Sequence, residues 1–465
     1  DMTPLHYDLR LEPDLENFTF GGRLDIQLEM TEPEEEIILN CLELAVWECA
    51  VREGDGWRPC PFCLAPEKES LRIIPPMPVT GTVNIRITYT GQINDKMAGF
   101  YRSAYSVDDN TRHIAVTQFQ ESDARRALPC MDHPRHKATF DIEIVTPPGL
   151  TAISNGDVTA RETLANGKTV FRFERTPRMS TYLLFFGVGE FETLADKEDQ
   201  RVKGIALPGL AEQLAFGVAF GRKALQFCES YYGIPYPLTK MDLIAIPDFA
   251  FGAMENWGAI TFRENLLLHD PERTSSLGEQ RICEVTAHEI AHQWFGNLVT
   301  PEDWKYLWLN ESFATYFGYG VVDHYYPEWG TWDQFLQGQT DSAMVRDALT
   351  ETIPIEIPGG EHVVINSSTA AVDNMEKLIP LAVENNCGII GLCMDQEGVP
   401  GSFEKRVECG ATFMMMAMEA GISVENIYLD PIVLPVNVGA QQLPNVLEAV
   451  SYTHLRAHET AYTIS

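Results

Sequence analysis

A chain of 465 residues, 45% hydrophobic and 22% charged, is too long for one core and has the composition of a globular protein of about two to four domains. Its formal net charge of −33 argues against nucleic acid or an anionic membrane surface as a partner. No apolar run is long enough to span a bilayer and no signal peptide is visible ahead of the first strand-like stretch, so a cytoplasmic location is expected. The ten cysteines lack the spacing of a disulfide scaffold. Cys60-Pro61-Phe62-Cys63 is a single CxxC without a second pair and reads as structural or incidental.

Residues 1–195 read as strands. Residues 6–11, 24–28 and 83–89 alternate apolar and polar, as a sheet wet on one face requires. Gly21-Gly22, Asn155-Gly156 and Asn166-Gly167 are the expected turns. An antiparallel β-sandwich or saddle follows from this pattern. From about residue 207 the period changes. Residues 210–232 read as a helix ended by Ile234-Pro235-Tyr236-Pro237, and residues 241–247 as a buried strand.

Ser275, Ser276 and Glu279 lead into a second helix, on which Ile282, Val285, Ile290 and Ala291 recur near helical spacing. His288 and His292 lie four residues apart on it, so their imidazoles share a face and can converge on one ion. Glu289, one position round, is placed to act as general base on a water beside that ion. A catalytic zinc takes three protein ligands and keeps one position open. Glu311 is the best third donor, because a carboxylate inside the apolar, helical and largely buried run 304–317 is costly unless something neutralises it. At this point the structural alternative stays open, with His288 and His292 as satisfied core histidines and Glu311 as a buried ion-pair partner.

Three words of sequence carry a resemblance: His288-Glu289-Ile290-Ala291-His292-Gln293-Trp294-Phe295-Gly296-Asn297, Trp308-Leu309-Asn310-Glu311-Ser312-Phe313-Ala314-Thr315-Tyr316-Phe317 and Gly252-Ala253-Met254-Glu255-Asn256-Trp257-Gly258. Together they resemble the zinc aminopeptidases related to aminopeptidase N and leukotriene A4 hydrolase, over residues 1 to about 356. The resemblance implies a multidomain α+β chain, with an N-terminal antiparallel β-sandwich or saddle over residues 1–195 and a truncated thermolysin-like zinc peptidase domain over 196–356. It implies one zinc ion per chain on His288, His292 and Glu311, Glu289 as the base, and peptides with a free N-terminus as substrates.

It also implies an edge strand within residues 249–263 on the cleft floor, where Gly252, Ala253 and Met254 face an extended peptide. Glu255 would receive the terminal ammonium, and Gln120, in the segment 117–134, would reach the same amine from the first domain. Without the resemblance, Glu255 reads as an exposed strand charge and Gln120 as a polar residue that docks domains. Relatives carry an oxyanion-binding tyrosine downstream of the third ligand. Tyr316, Tyr319, Tyr325 and Tyr326 stand in or beside the ligand helix, outside any such segment, so a chain that binds zinc but turns over poorly is expected. The oligomeric state leaves no mark in the sequence.

Farther on, the matching words are Val363-Val364-Ile365-Asn366-Ser367-Ser368, residues 391–400 and residues 427–435. Residues 361–450 resemble a fragment of the pterin-binding barrel of methyltetrahydrofolate-corrinoid methyltransferases, in which the residues matching Asn366 and Asp430 contact the pterin. An incomplete α/β barrel fragment without methyl transfer is expected, since too few βα units are present to close a barrel. Residues 451–465 resemble translated sequencing adapter. Two changes of likeness in one chain read as a chimeric assembly with no complete enzyme, the alternative to an aminopeptidase.

Overall fold

A computed structural model describes residues 2–107, 110–348, 355, 364–384, 387–396, 398–430 and 432. The chain forms two compact units, Asp1–Val345 and Arg346–Ser465. The expected junction near 350–362, apart from residue 355, and the adapter-like 451–465 lie outside the described residues.

The first unit opens on an eight-stranded sheet in the order Val158–Thr163, Thr169–Phe173, Thr139–Thr146, Met2–Asp14, Thr19–Glu34, Val79–Gln92, Ala45–Glu53, Gly56–Pro59. The alternation read from sequence sets its inner face: Tyr7, Leu9 and Leu11 are buried beside Leu24, Ile26, Leu28, Ile85, Ile87 and Tyr89. The expected all-antiparallel sheet is in fact mixed, because Met2–Asp14 pairs parallel with Thr139–Thr146. Between those strands the chain builds Gly99–Val107 and Asn110–Gln118 of a separate four-stranded sheet. It then returns beside its first strand by a crossover long enough to permit parallel entry.

Gly21 and Gly22, expected as a turn, lie inside Thr19–Glu34. A Cβ on Gly22 would stand 2.3 Å from the Tyr89 ring, so this glycine admits an aromatic side chain rather than reversing the chain. Asn166-Gly167 does form a turn, with Gly167 at φ +82° and its amide donating to the Leu164 carbonyl.

The next sheet has five strands, ordered Glu192–Ala195, Val202–Ala206, Met241–Ile246, Ala259–Arg263, Ala253–Met254. Glu192–Ala195, at the end of the segment read as the strand domain, pairs antiparallel with Val202–Ala206 of this sheet. Ala253–Met254 is an edge, as expected, though only two residues long. Helix α1 spans Ala215–Tyr232 and ends on Gly233, which takes the left-handed conformation. Helix α2 spans Ser276–His292, and its cap Ser275 accepts from the Gly278 amide.

Helix α3, Leu307–Tyr325, crosses α2 at Gly318, where a Cβ would meet the His288 backbone at 3.3–3.4 Å. Glycine there lets the two helices approach closely at the level of His288. The expectation that this run is largely buried is corrected. Leu309, Phe313 and Tyr316 are exposed, while Ala314, Phe317, Val321 and Val322 pack inward. The helix is apolar on both sides but covered on one, so periodicity could not show which half meets solvent.

The second unit contains a three-stranded parallel sheet, Val364–Thr369, Gly388–Leu392 and Ile427–Asp430, with helices Val372–Glu384 and Phe403–Glu419. Its core joins Met375, Ile379, Ile389, Phe413 and Ala417. Among the described residues, no helix is long and apolar enough to cross a membrane.

Candidate active site

Helices α2 and α3 and the edge strand Ala253–Met254 line a cleft of about 640 Å³ that contains His288, Glu289, His292, Glu311, Glu255, Gln120, Gly252, Ala253 and Met254. All the residues expected around a peptidase centre are thus brought together. His288 Nε2 and His292 Nε2 lie 3.0 Å apart, and one Glu311 oxygen stands 3.3 and 3.5 Å from them. Tetrahedral ligand atoms about 2.0–2.1 Å from a zinc ion are separated by about 3.3 Å. The three atoms therefore already mark out one face of such a site, and the donor set fits the metal.

Outer contacts aim the ligands. His292 Nδ1 donates to the Phe295 carbonyl at 2.9 Å, which leaves Nε2 free to face the cleft. The Thr315 hydroxyl sits 3.5 Å from His288 Nδ1. Glu311 was expected to be buried, yet its side chain keeps 40% of its surface accessible. It faces the cleft rather than the core, so neutralisation and not burial explains its place.

The electrostatics are those of a crowded acid cluster around two imidazoles. Burial disfavours a charged His292, but Glu255, Glu311 and Glu289 outweigh it and push the imidazole up to about 10. His288 is lowered by burial and by the neighbouring His292. Burial also opposes ionisation of Glu311, whose contacts with both histidines hold its carboxyl far below the usual range. A divalent ion held by these three ligand atoms would take the place of the proton on His292. Burial raises Glu289 well above the carboxylate range, with His292 pulling the other way.

Glu255 is also raised by burial, and it is only 3% exposed. Its backbone carbonyl is fixed by Asn297 Nδ2 at 2.8 Å and Gln293 Nε2 at 3.2 Å, while its side-chain Oε1 has no hydrogen-bond partner among the described residues. Glu255, Glu289 and His292 bring one polar atom each within 4.8 Å of one another. The reading of Glu255 as an exposed strand charge is therefore overturned.

Gln118 was missed. It is 1% exposed, lines the cleft, and neither atom of its amide has a hydrogen-bond partner among the described residues. It stands at the end of the strand Asn110–Gln118, two residues before Gln120. Of the four tyrosines after Glu311, only Tyr319 lines the cleft. Tyr325 donates to the Lys223 carbonyl, and Tyr326 accepts from Lys223 Nζ.

In the second unit, Asn366 lies on the first strand and Asp430 ends the third, with Gly388–Leu392 between them. That separates their backbones by two strand spacings, roughly 10 Å. An Asp430 side-chain oxygen accepts from the Ile432 amide. Cys60 is buried and Cys63 exposed, both as free thiols.

Sequence comparison agrees with this geometry. The peptidase M1 N-terminal domain matches residues 3–183 and the peptidase family M1 domain matches residues 216–374. The second match continues past residue 356 into the helix Val372–Glu384. Aminopeptidase M1-A of Oryza sativa subsp. japonica is 42% identical over 363 residues, 76% of this chain and 41% of that protein. Aminopeptidase M1 of Arabidopsis thaliana is 41% identical over 362 residues, again 76% and 41%. Aminopeptidase 2, mitochondrial, of Saccharomyces cerevisiae is 39% identical over 365 residues, 77% of this chain and 38% of that protein. The chain thus spans about two fifths of the length of these relatives, and over that stretch both domain matches, and the residues gathered in the cleft, have one meaning: the chain belongs to the peptidase M1 family.

Proposed function

We propose that this chain carries the centre of a zinc aminopeptidase, with His288, His292 and Glu311 holding one zinc ion. The ion would supply a polarised peptide carbonyl and an acidified water. The chain's own residues do the rest. Glu289 takes a proton from the water and returns it to the leaving amine, a task that suits a carboxyl whose affinity for protons is raised by burial. Glu255 receives the ammonium of the substrate's first residue, and Gln120 and Gln118 offer amide oxygens to the same group. The edge strand Ala253–Met254 pairs with the extended peptide.

The observation that carries this reading is the Glu255 oxygen, buried and without a partner among the described residues, beside a triad that could hold a metal. A buried carboxylate oxygen left open is costly unless a cationic ligand completes it. Tyr319 stands eight residues beyond Glu311 on α3, about 12 Å along the axis, too far to be the expected oxyanion donor, so turnover of this chain is expected to be low.

The test joins metal content to amine dependence. One zinc per chain is expected after dialysis, together with chelator-sensitive cleavage of an alanyl reporter amide that fails when the alanine is N-acetylated. Equal cleavage of free and acetylated reporters would remove the role given to Glu255. A chain that takes up no zinc would remove the reading altogether.

A further inference from the structure

The edge strand on the cleft floor is too short to hold its own place. Ala253 pairs with Phe262 and Met254 with Thr261, and a two-residue ladder fixes little by itself. The loop that feeds it, between Met241–Ile246 and Ala253, is tied to Gly99–Val107, a strand of the N-terminal domain, through Asp248. One Asp248 carboxylate oxygen accepts from the Ser103 hydroxyl at 3.1 Å and from the Ala104 amide at 3.0 Å. The Asp248 amide donates to the Ser103 oxygen at 2.9 Å, and the Tyr101 hydroxyl donates to the Asp248 carbonyl at 2.9 Å. Tyr101 and Ser103 are fully buried, so the loop is clasped against a packed wall while Asp248 itself stays exposed. Farther along the loop, Arg263 holds the Ala250 and Gly252 carbonyls, each at 2.9 Å.

The strand that receives this clasp also serves the cleft. Gly99–Val107 pairs along its length with Asn110–Gln118, and Gly99 stands opposite Gln118. One strand pair therefore brings Gln118 to the cleft and anchors the loop that leads to the edge strand and Glu255. We propose that Asp248 is a positioning residue for peptide binding: by clasping Ser103 and Ala104 it fixes the edge strand and Glu255 opposite Gln118 and Gln120. The proposal rests on the aminopeptidase reading and adds to it a residue that does not line the cleft. Asp248 stands five residues before Ala253 and seven before Glu255, so a shift at the loop reaches both. Displacing groups that hold a substrate by about 1 Å can cost up to roughly a hundredfold.

The experiment reads binding apart from turnover. A zinc-loaded Glu289→Gln variant of the full chain is titrated calorimetrically with Ala-Ala-Ala, and each further substitution is made in that background. Asp248→Ala is expected to weaken binding roughly tenfold with one zinc per chain retained. Asp248→Asn keeps an oxygen that accepts from Ser103 and Ala104, so it should bind within about twofold of the parent. Ser103→Ala should weaken binding as well, and the double variant Ser103→Ala, Asp248→Ala should be no weaker than the worse single one, because both lose the same bonds. Unchanged affinity in Asp248→Ala, even with a lowered unfolding midpoint, would make Asp248 a tie between domains and overturn the proposal. So would Asp248→Asn binding as weakly as Asp248→Ala, which would assign the effect to charge. Failure of the underlying reading has a different signature: Ala-Ala-Ala does not bind the Glu289→Gln parent, or binds it no better than its N-acetylated form.

Discussion

Each unit buries a charged group, and Arg406 in one and Glu255 in the other differ in their partners. In the Arg346–Ser465 unit, Arg406 is fully buried, and its guanidinium donates to backbone on two segments: Nε to the Pro400 carbonyl at 3.0 Å and a terminal nitrogen to the Ile432 carbonyl at 2.8 Å. In the Asp1–Val345 unit, Glu255, Glu289 and His292 are buried together, and an oxygen of Glu255 has no partner among the described residues. A buried charge whose bonds are complete ties segments together. One with an open bond beside a cavity awaits something from outside. Burial alone does not tell the two apart; the state of the partners does.

The largest expected effect breaks the second kind. Glu289→Gln should lower turnover by roughly two to four orders of magnitude, the range for a lost general base, and leave zinc content and the unfolding midpoint unchanged. His292→Ala should abolish stoichiometric zinc binding, read by metal analysis after dialysis. Were Glu289→Gln to lower the unfolding midpoint as well, its carboxyl would belong with the structural charges.

The first kind should respond in reverse. Arg406→Ala strands two carbonyls and opens a cavity in the smaller unit, so a loss of about 3 kcal/mol is expected in chemical denaturation, with one zinc per chain still bound. Loss of zinc in this variant would show that the contrast between the units is wrongly drawn.

What could be read from sequence follows the same division. His288, Glu289 and His292 sit within one helical turn and a half, so their convergence is local geometry, and the strands over residues 6–11 and 83–89 declare their buried face by alternation. The parallel pairing of Met2–Asp14 with Thr139–Thr146 was hidden because it depends on where a distant segment returns. The glycine pair at 21–22 misled for a related reason: Tyr89, the residue that requires Gly22, is remote in sequence. Gln118 escaped because a buried amide without partners looks in sequence like any other strand residue. The exposed side of α3, Leu309, Phe313 and Tyr316, has the same composition as its covered side.

Glu255 joins both ideas in one residue. Glu255→Gln should raise KM for an alanyl amide by roughly ten- to a hundredfold, because a charge-assisted bond to the ammonium is exchanged for a neutral one. It should also raise the unfolding midpoint, since a buried open carboxylate is removed from a site the fold does not need. A variant with unchanged KM and lower stability would place Glu255 with Arg406.

The smallest effect comes from a satisfied charge inside the catalytic unit, which shows that partners and not the unit decide the outcome. Arg201 makes a two-pronged contact with Glu229 at 2.8 and 3.0 Å and reaches Asp199, joining the segment before Val202–Ala206 to the end of α1. Arg201→Ala should cost about 1 kcal/mol, because the guanidinium is one-third exposed, and should leave zinc and KM unchanged. Hydrogen bonds from Arg201 hold both carboxyls below their ordinary values. A depressed carboxyl stabilises the fold above its unfolded pKa of about 4, and that contribution fades as pH falls through the lower folded value. The gap between parent and variant in urea midpoint should therefore be widest at neutral pH and shrink as the solution is acidified below about pH 4. A gap that widens on acidification would mean that Arg201 acts through its packed stem rather than through its charge.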